Sequence, residues 1–133
     1  MLRATLWLLR VCAYVYHLLL ALFLIGIGVV ATASQSQLTL EMLPWKGPAL
    51  TRAVFLLGIA GIVFVALAVT GIARWIFPFW TLFVFVMMFR GFFGMSYIFA
   101  STAEFHAAVW LTAGALVAFL ASLSLFGRSR PRR

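Results

Sequence analysis

The sequence predicts an all-α membrane protein, a four-transmembrane-helix bundle with both termini cytoplasmic. Three observations predict it. Of the 133 residues, 66% are hydrophobic and 9% are charged, and the mean hydropathy is +1.17. A water-soluble domain of this size does not keep so few charges, because it must cover its core with polar side chains. Apolar residues gather into four runs, about 5–33, 53–73, 75–100 and 105–126, each longer than the ~20 residues a helix needs to cross about 30 Å of hydrocarbon. The cations between the runs are unevenly distributed, and that asymmetry sets an orientation.

The first run, Thr5 to Ala33, follows Arg3 and encloses Arg10. A signal peptide is the rival reading, with Met1–Arg10 as its basic start and Ala31-Thr32-Ala33 as a small-residue cleavage site. The apolar stretch from Val11 to Ala31 is too long for one, and Tyr14, Tyr16 and His17 are polar groups that a disposable segment does not need. A retained helix is the reading taken. Ser34 to Arg52 is polar at first and then carries Pro44, Gly47 and Pro48, so it is read as an outer loop with Leu38–Trp45 lying along the interface. Ala53–Ala73 forms the second span. Trp75–Ala100 forms the third, with Pro78 in its first turn, where a missing N–H does no harm. Phe105–Phe126 forms the fourth. The chain is thus one integral membrane domain, with spans 5–33, 53–73, 75–100 and 105–126, an outer loop 34–52 and a basic tail 127–133.

With the N-terminus inside, Arg3, Arg10, Arg74, Arg128, Arg130, Arg132 and Arg133 fall on the inner side, Lys46 and Arg52 on the outer side and Arg90 in the membrane, which accounts for all ten cations. This positive-inside bias places the protein N-in/C-in, in a plasma (inner) membrane. Trp45 and Trp75 fall at run ends, where interfacial tryptophans belong. A net charge of +8 would suggest nucleic acid in a soluble protein. Here it belongs to topology and to anionic headgroups, worth about 1 kcal/mol per cation near the surface, so the partners expected are membrane lipids and no nucleic acid.

Arg90 is the residue that most needs explaining. A cation inside hydrocarbon costs about 2.5–3.5 kcal/mol on insertion scales, and no acidic residue lies within any of the four runs. On the first helix Arg10, Tyr14, His17, Ala21, Leu24 and Gly28 share a face; on the third, Arg90, Gly94, Tyr97 and Ser101 do. Counted from the inner boundary, His17 and Arg90 both lie roughly 15–20 Å deep, which would let them meet inside the bundle. Glu104 follows Arg90 by fourteen residues, roughly 20 Å along a helix and beyond reach. Arg90 is therefore expected to bond backbone carbonyls near Gly91 and Gly94, an acid of another chain, or an anionic ligand such as a lipid phosphate, a propionate or a quinone oxygen. The docking residues read from the sequence are Arg90, His17, Tyr14 and Tyr97.

Other chemistry finds little support. Cys12 is the only cysteine, so neither a disulfide nor a cysteine metal cluster is expected. His17 and His106 differ in depth by roughly 10 Å or more, which makes them poor joint ligands for a haem; Met87, Met88 and Met95 are read as packing residues. His106 is expected to pair with Glu104. The phenylalanine-rich stretch Trp75–Phe93 is read as lipid-facing or packing, with a quinone or carotenoid slot as the lesser reading. No nucleophile with a base and an orienter is visible, so no catalytic residue, metal site or resident cofactor is assigned and the protein is read as non-enzymatic. Gly58 and Gly61 near Ala68, and the stripe Ala108, Thr112, Ala115 and Ser122, are small-residue faces for helix packing.

Helix count and length are similar to those of DoxX-like proteins and small multidrug transporters. The transporters rely on an acidic residue in the first helix that this chain lacks. The function expected is that of an accessory or assembly subunit of a larger membrane complex, with a polar centre at Arg90. The alternative is a small carrier or a lipid- or anionic-ligand-binding protein, alone or as a homo-oligomer, using the same centre.

Overall fold

In the computed structural model, which describes residues 2–40, 43–94 and 97–125 and side chains from Ala4 onward, every regular element is helical. Helix α1 spans Leu2–Ala33, α2 Pro48–Thr70, α3 Ile76–Phe89 and α4 Thr102–Leu123. A π-helical turn, Arg90–Gly94, extends α3. Four segments are long and apolar enough to cross a membrane, namely Ala4–Ala33, Pro48–Thr70, Ile76–Gly94 and Thr102–Leu123. That is the signature of a membrane-embedded protein. Glu41, Met95 and the tail Arg128–Arg133 lie outside the described residues.

Two boundaries differ from the sequence expectation. Helix α2 starts at Pro48, five residues before the expected Ala53, because Gly47 adopts a positive φ of 59° that turns the chain and Pro48 then fills the first helical position. The third span ends at Gly94 and does not run on to Ala100. Its termination goes with a competing start signal. The Ser101 hydroxyl accepts from the Glu104 backbone N–H at 3.2 Å, while the Glu104 carboxylate accepts from the Ala100 N–H at 2.9 Å. This reciprocal cap begins α4 and holds the preceding residues out of helix. Glu104 is thus a capping residue. The ring of His106 lies 6.1 Å from that of Phe105, and no Glu104–His106 ion pair is found among the described residues.

Helix α1 packs most extensively against α2 and next against α4; α3 packs against α4 and more thinly against α2. The helices therefore form a ring in chain order, alternating in direction. Both ends of the described chain lie together, since Arg10 near the start of α1 donates to the Ser124 hydroxyl at 2.8 Å and to its backbone carbonyl at 2.7 Å. A guanidinium there satisfies carbonyls left open at the end of α4 and complements its dipole. Gly71 closes α2 in the left-handed conformation at φ 83°, donating to the Leu67 carbonyl.

Small residues set the helix spacing. The buried face of α2 is Leu50, Val54, Gly58, Gly61, Val65 and Ala68; that of α4 is Ala108, Thr112, Ala115, Ala118, Ala121 and Ser122. Both small-residue faces read from the sequence are buried. A Cβ at Gly58 would come within 2.6 Å of Ile25 Cγ1 and 2.9 Å of the Ala21 carbonyl oxygen, so α1 and α2 touch backbone to backbone. A Cβ at Gly26 would meet nothing within 4 Å. Gly58→Ala is therefore expected to destabilise the bundle by about 1–3 kcal/mol through overpacking. Gly26→Ala should leave stability unchanged or slightly raised, as thermal unfolding in detergent will show.

Candidate functional site

An elongated cavity of about 130 Å³ lies between α1, α2 and α3. Its walls come from His17, Leu20, Ala21 and Leu24 of α1, from Val54, Leu57 and Gly61 of α2, and from Trp80, Val84 and Met87 of α3 among others. Leu40 and Leu43, from the loop between α1 and α2, also line it. Part of the expected interfacial stretch is thus a wall of the cavity. Space is left because Ala21 and Gly61 bring the backbones together without filling the volume beside them. A Cβ at Gly61 would stand 2.9 Å from that of Ala21 and 3.4 Å from the Trp80 ring.

The lining is apolar. His17 and Trp80 are the first lining residues on α1 and α3, which run in the same direction, and Gly61 is the last on α2. These three mark the end nearest the chain termini; Leu40 and Leu43 mark the other. His17 is 1% exposed. Its Nδ1–H donates to the Ala13 carbonyl at 3.0 Å, since a carbonyl can only accept. In the neutral ring Nε2 is then a free acceptor, and it has no partner. The second such atom among the described residues is Trp80 Nε1, whose N–H is buried and unpaired. An unmet buried polar group costs about 1–3 kcal/mol, and both of these belong to residues that line the cavity.

The surroundings hold both rings rigid. His17 meets Phe77 edge-on at 5.4 Å and Tyr16 at 5.2 Å. Trp80 stacks on Phe64 at 4.8 Å and leans on Phe83 at 5.8 Å. The Tyr16 hydroxyl donates to the Leu111 carbonyl at 2.7 Å and lies 3.6 Å from the Met88 sulfur. Thr81 and Ser122 share a buried hydrogen bond of 2.9 Å that ties α3 to α4.

The structure separates the residues that the sequence grouped. Tyr14 meets Phe77 at 5.1 Å, so the Phe77 ring contacts both Tyr14 and His17. Arg90 is exposed, and Gly91 takes the buried position of that π-helical turn. Among the described residues the Arg90 guanidinium has neither an ion pair nor a hydrogen bond, while its backbone N–H donates to the Met87 and Val86 carbonyls. Tyr97 falls in the non-helical stretch before α4, 37% exposed, with its ring 4.9 Å from Phe99 and 5.8 Å from Phe92. Arg90, Gly94, Tyr97 and Ser101 therefore do not make one continuous helical face. Trp80 lines the cavity and keeps a buried N–H without a partner, and sequence reading did not single it out. Its spacing with Val84, Met87 and Met88 at i, i+4, i+7 and i+8 was the available signal.

No group of His, Cys, Asp and Glu among the described residues is arranged to hold a metal ion. Comparisons with protein-family models, curated proteins and solved structures find no match to this chain.

A ring kept only for packing would not carry an unmet nitrogen. His17→Leu, close in volume, removes the polar group and is expected to leave the bundle as stable as the parent or more stable by up to about 1 kcal/mol. A loss of more than about 2 kcal/mol in the same unfolding assay would assign His17 to structure alone.

Proposed function

We propose that this chain is a non-enzymatic four-helix integral membrane protein that holds a small, largely apolar molecule in the His17–Trp80 cavity, as a carrier or ligand-binding protein. The observation behind this reading is a cavity large enough for a six-membered ring, lined by His17, whose Nε2 is buried without a partner. Inside a bilayer there is no bulk water to satisfy it, and a polar group kept at such a cost marks a place of use. Pockets of this kind, apolar with a few placed polar groups, suit small-molecule binding. The orientation that fits the cations is N-in/C-in in an inner membrane, with the end bearing Arg10 and Arg74 on the cytoplasmic side and the Leu40–Leu43 end facing out.

Arg90 favours a second reading, the accessory or assembly subunit. It is exposed on the third span, and Glu104 is engaged by the Ala100 N–H. An anion for Arg90 would then come from another chain or from lipid. In this reading Arg90 docks an acid of a larger membrane complex, and His17 and Tyr14 belong to the interior.

Native mass spectrometry after gentle detergent extraction separates the two readings. The ligand-binding reading expects the 14.8 kDa chain, alone or as a homo-oligomer, with a retained small-molecule mass. Val84→Phe, which fills the cavity from α3, should remove that mass without loss of fold, and Arg90→Leu should not. Recovery only with larger proteins, abolished by Arg90→Leu, would establish the accessory role instead. A bare chain with neither would refute both.

A further inference from the structure

We propose that the end of the bundle nearest the chain termini binds a phosphate group at Arg10, Arg74 and Tyr14. The group is carried by an anionic lipid headgroup or by a soluble phosphate. This site is separate from the cavity and does not depend on the ligand-binding reading. Its placement follows from one ring contact, that of Tyr14 on α1 edge-on to Phe77 on α3 at 5.1 Å. Arg10 comes four residues before Tyr14 on the same helix face. Arg74 comes three residues before Phe77, in the turn that leads into α3. The positive charges of both arginines act on the Tyr14 hydroxyl, so the three side chains form one cluster. Two helix ends frame it. Arg10 bonds Ser124 at the end of α4, and the Arg74 guanidinium lies over Gly71 at the end of α2, where a Cβ would stand 2.8 Å from its Nη2.

Each member of the cluster has donors to spare. Arg10 gives Ser124 two of the five N–H groups of a guanidinium, which leaves three. The Arg74 guanidinium and the Tyr14 hydroxyl have no hydrogen bond among the described residues. Arg74 is exposed. The side-chain atoms buried without a partner, among the described residues, are His17 Nε2 and Trp80 Nε1. The Tyr14 hydroxyl, equally without a partner, is therefore reachable from outside. No carboxylate answers the two cations. Glu104, the described acidic residue, caps the opposite end of α4, and the charged side chains that follow Leu125 in sequence are all arginines. A phosphate offers acceptor oxygens and the opposite charge together, which suits guanidinium forks. The height is right for a headgroup as well. Helix α1 starts at Leu2, so its first two turns project past the level at which Arg10 meets the end of α4, and Arg10 stands at the membrane face. A basic pocket between helices at that level is a headgroup site. A choline beside the phosphate would add a third cation, so a lipid without one is preferred.

The lipid-depleted full chain in nonionic detergent is titrated by calorimetry with dioleoylphosphatidylglycerol, dioleoylphosphatidylcholine and sodium phosphate. At least one of the two anions is expected to bind saturably, and phosphatidylcholine more weakly. Arg74→Gln removes a cation that makes no hydrogen bond within the fold and should weaken that binding about fivefold. Tyr14→Phe keeps the ring on Phe77 and should weaken it by a smaller factor. Arg52→Gln removes the same charge at the opposite end and should leave it unchanged. Phosphatidylglycerol that sodium phosphate does not displace identifies a lipid site. Saturable sodium phosphate binding that is weakened by Arg74→Gln identifies a soluble phosphate. Equal binding of the two lipids with no binding of sodium phosphate overturns the proposal. So do equal losses in Arg74→Gln and Arg52→Gln, which would mean diffuse charge without a site.

Discussion

The close approach of α1 and α2 is the constraint on which the rest of the structure depends. Gly58 and Gly61 lie against Ala21 and Ile25 with no room for a further carbon at Gly58. Between apolar helices in lipid no hydrophobic drive holds the pair together, so dispersion and close backbone contact must do it. The same absence of side-chain volume has a second effect. Where α3 arrives beside the α1–α2 contact, it packs thinly against α2, and the three helices leave the space that His17 and Trp80 border. The cavity is thus a consequence of the contact that stabilises the bundle.

Against that background the polar groups divide sharply. Arg10 finds the open end of α4, Tyr16 the Leu111 carbonyl, Thr81 and Ser122 each other, and Thr112 the carbonyl one turn before it. The first three either close a helix end or tie one helix to the next, and Thr112 is satisfied within its own helix. His17 Nε2 and Trp80 Nε1 have no partner. Both atoms belong to residues that line the cavity, one an acceptor and one a donor. The rigid ring contacts around both side chains, with Phe77 and Tyr16 on one and Phe64 and Phe83 on the other, keep them from turning toward partners of their own.

The four helices were legible because composition and run length leave a membrane chain few alternatives, and the inward face of α1 was legible from the spacing of His17, Ala21 and Gly28. The glycine and alanine stripes of α2 and α4 were legible for the same reason: small residues at helical spacing have one principal use in such a bundle. The end of the third span was not, because hydropathy continues through Tyr97, Ile98 and Phe99 while the backbone does not. The decisive signal was polar and local, the Ser101-Thr102-Ala103-Glu104 cap that starts α4. That break also explains the position of Arg90. On a straight helix running to Ala100 it would lie near mid-span; on a span ending at Gly94 it belongs to the final turn, with Gly91 facing inward in its place. Trp80 escaped notice in a segment crowded with aromatic residues, since only tertiary packing shows which of them keeps a polar atom without a partner.

The central claim is that His17 keeps a neutral ring whose Nε2 is without a partner in the apolar interior of the bundle. Solid-state nitrogen NMR of imidazole-labelled protein in lipid, with His106→Gln to leave a single histidine, tests it most directly. The account predicts a neutral ring with the proton on Nδ1 and an Nε2 resonance free of hydrogen bonding. A ring protonated at Nε2, or an Nε2 resonance in the hydrogen-bonded range, would contradict it.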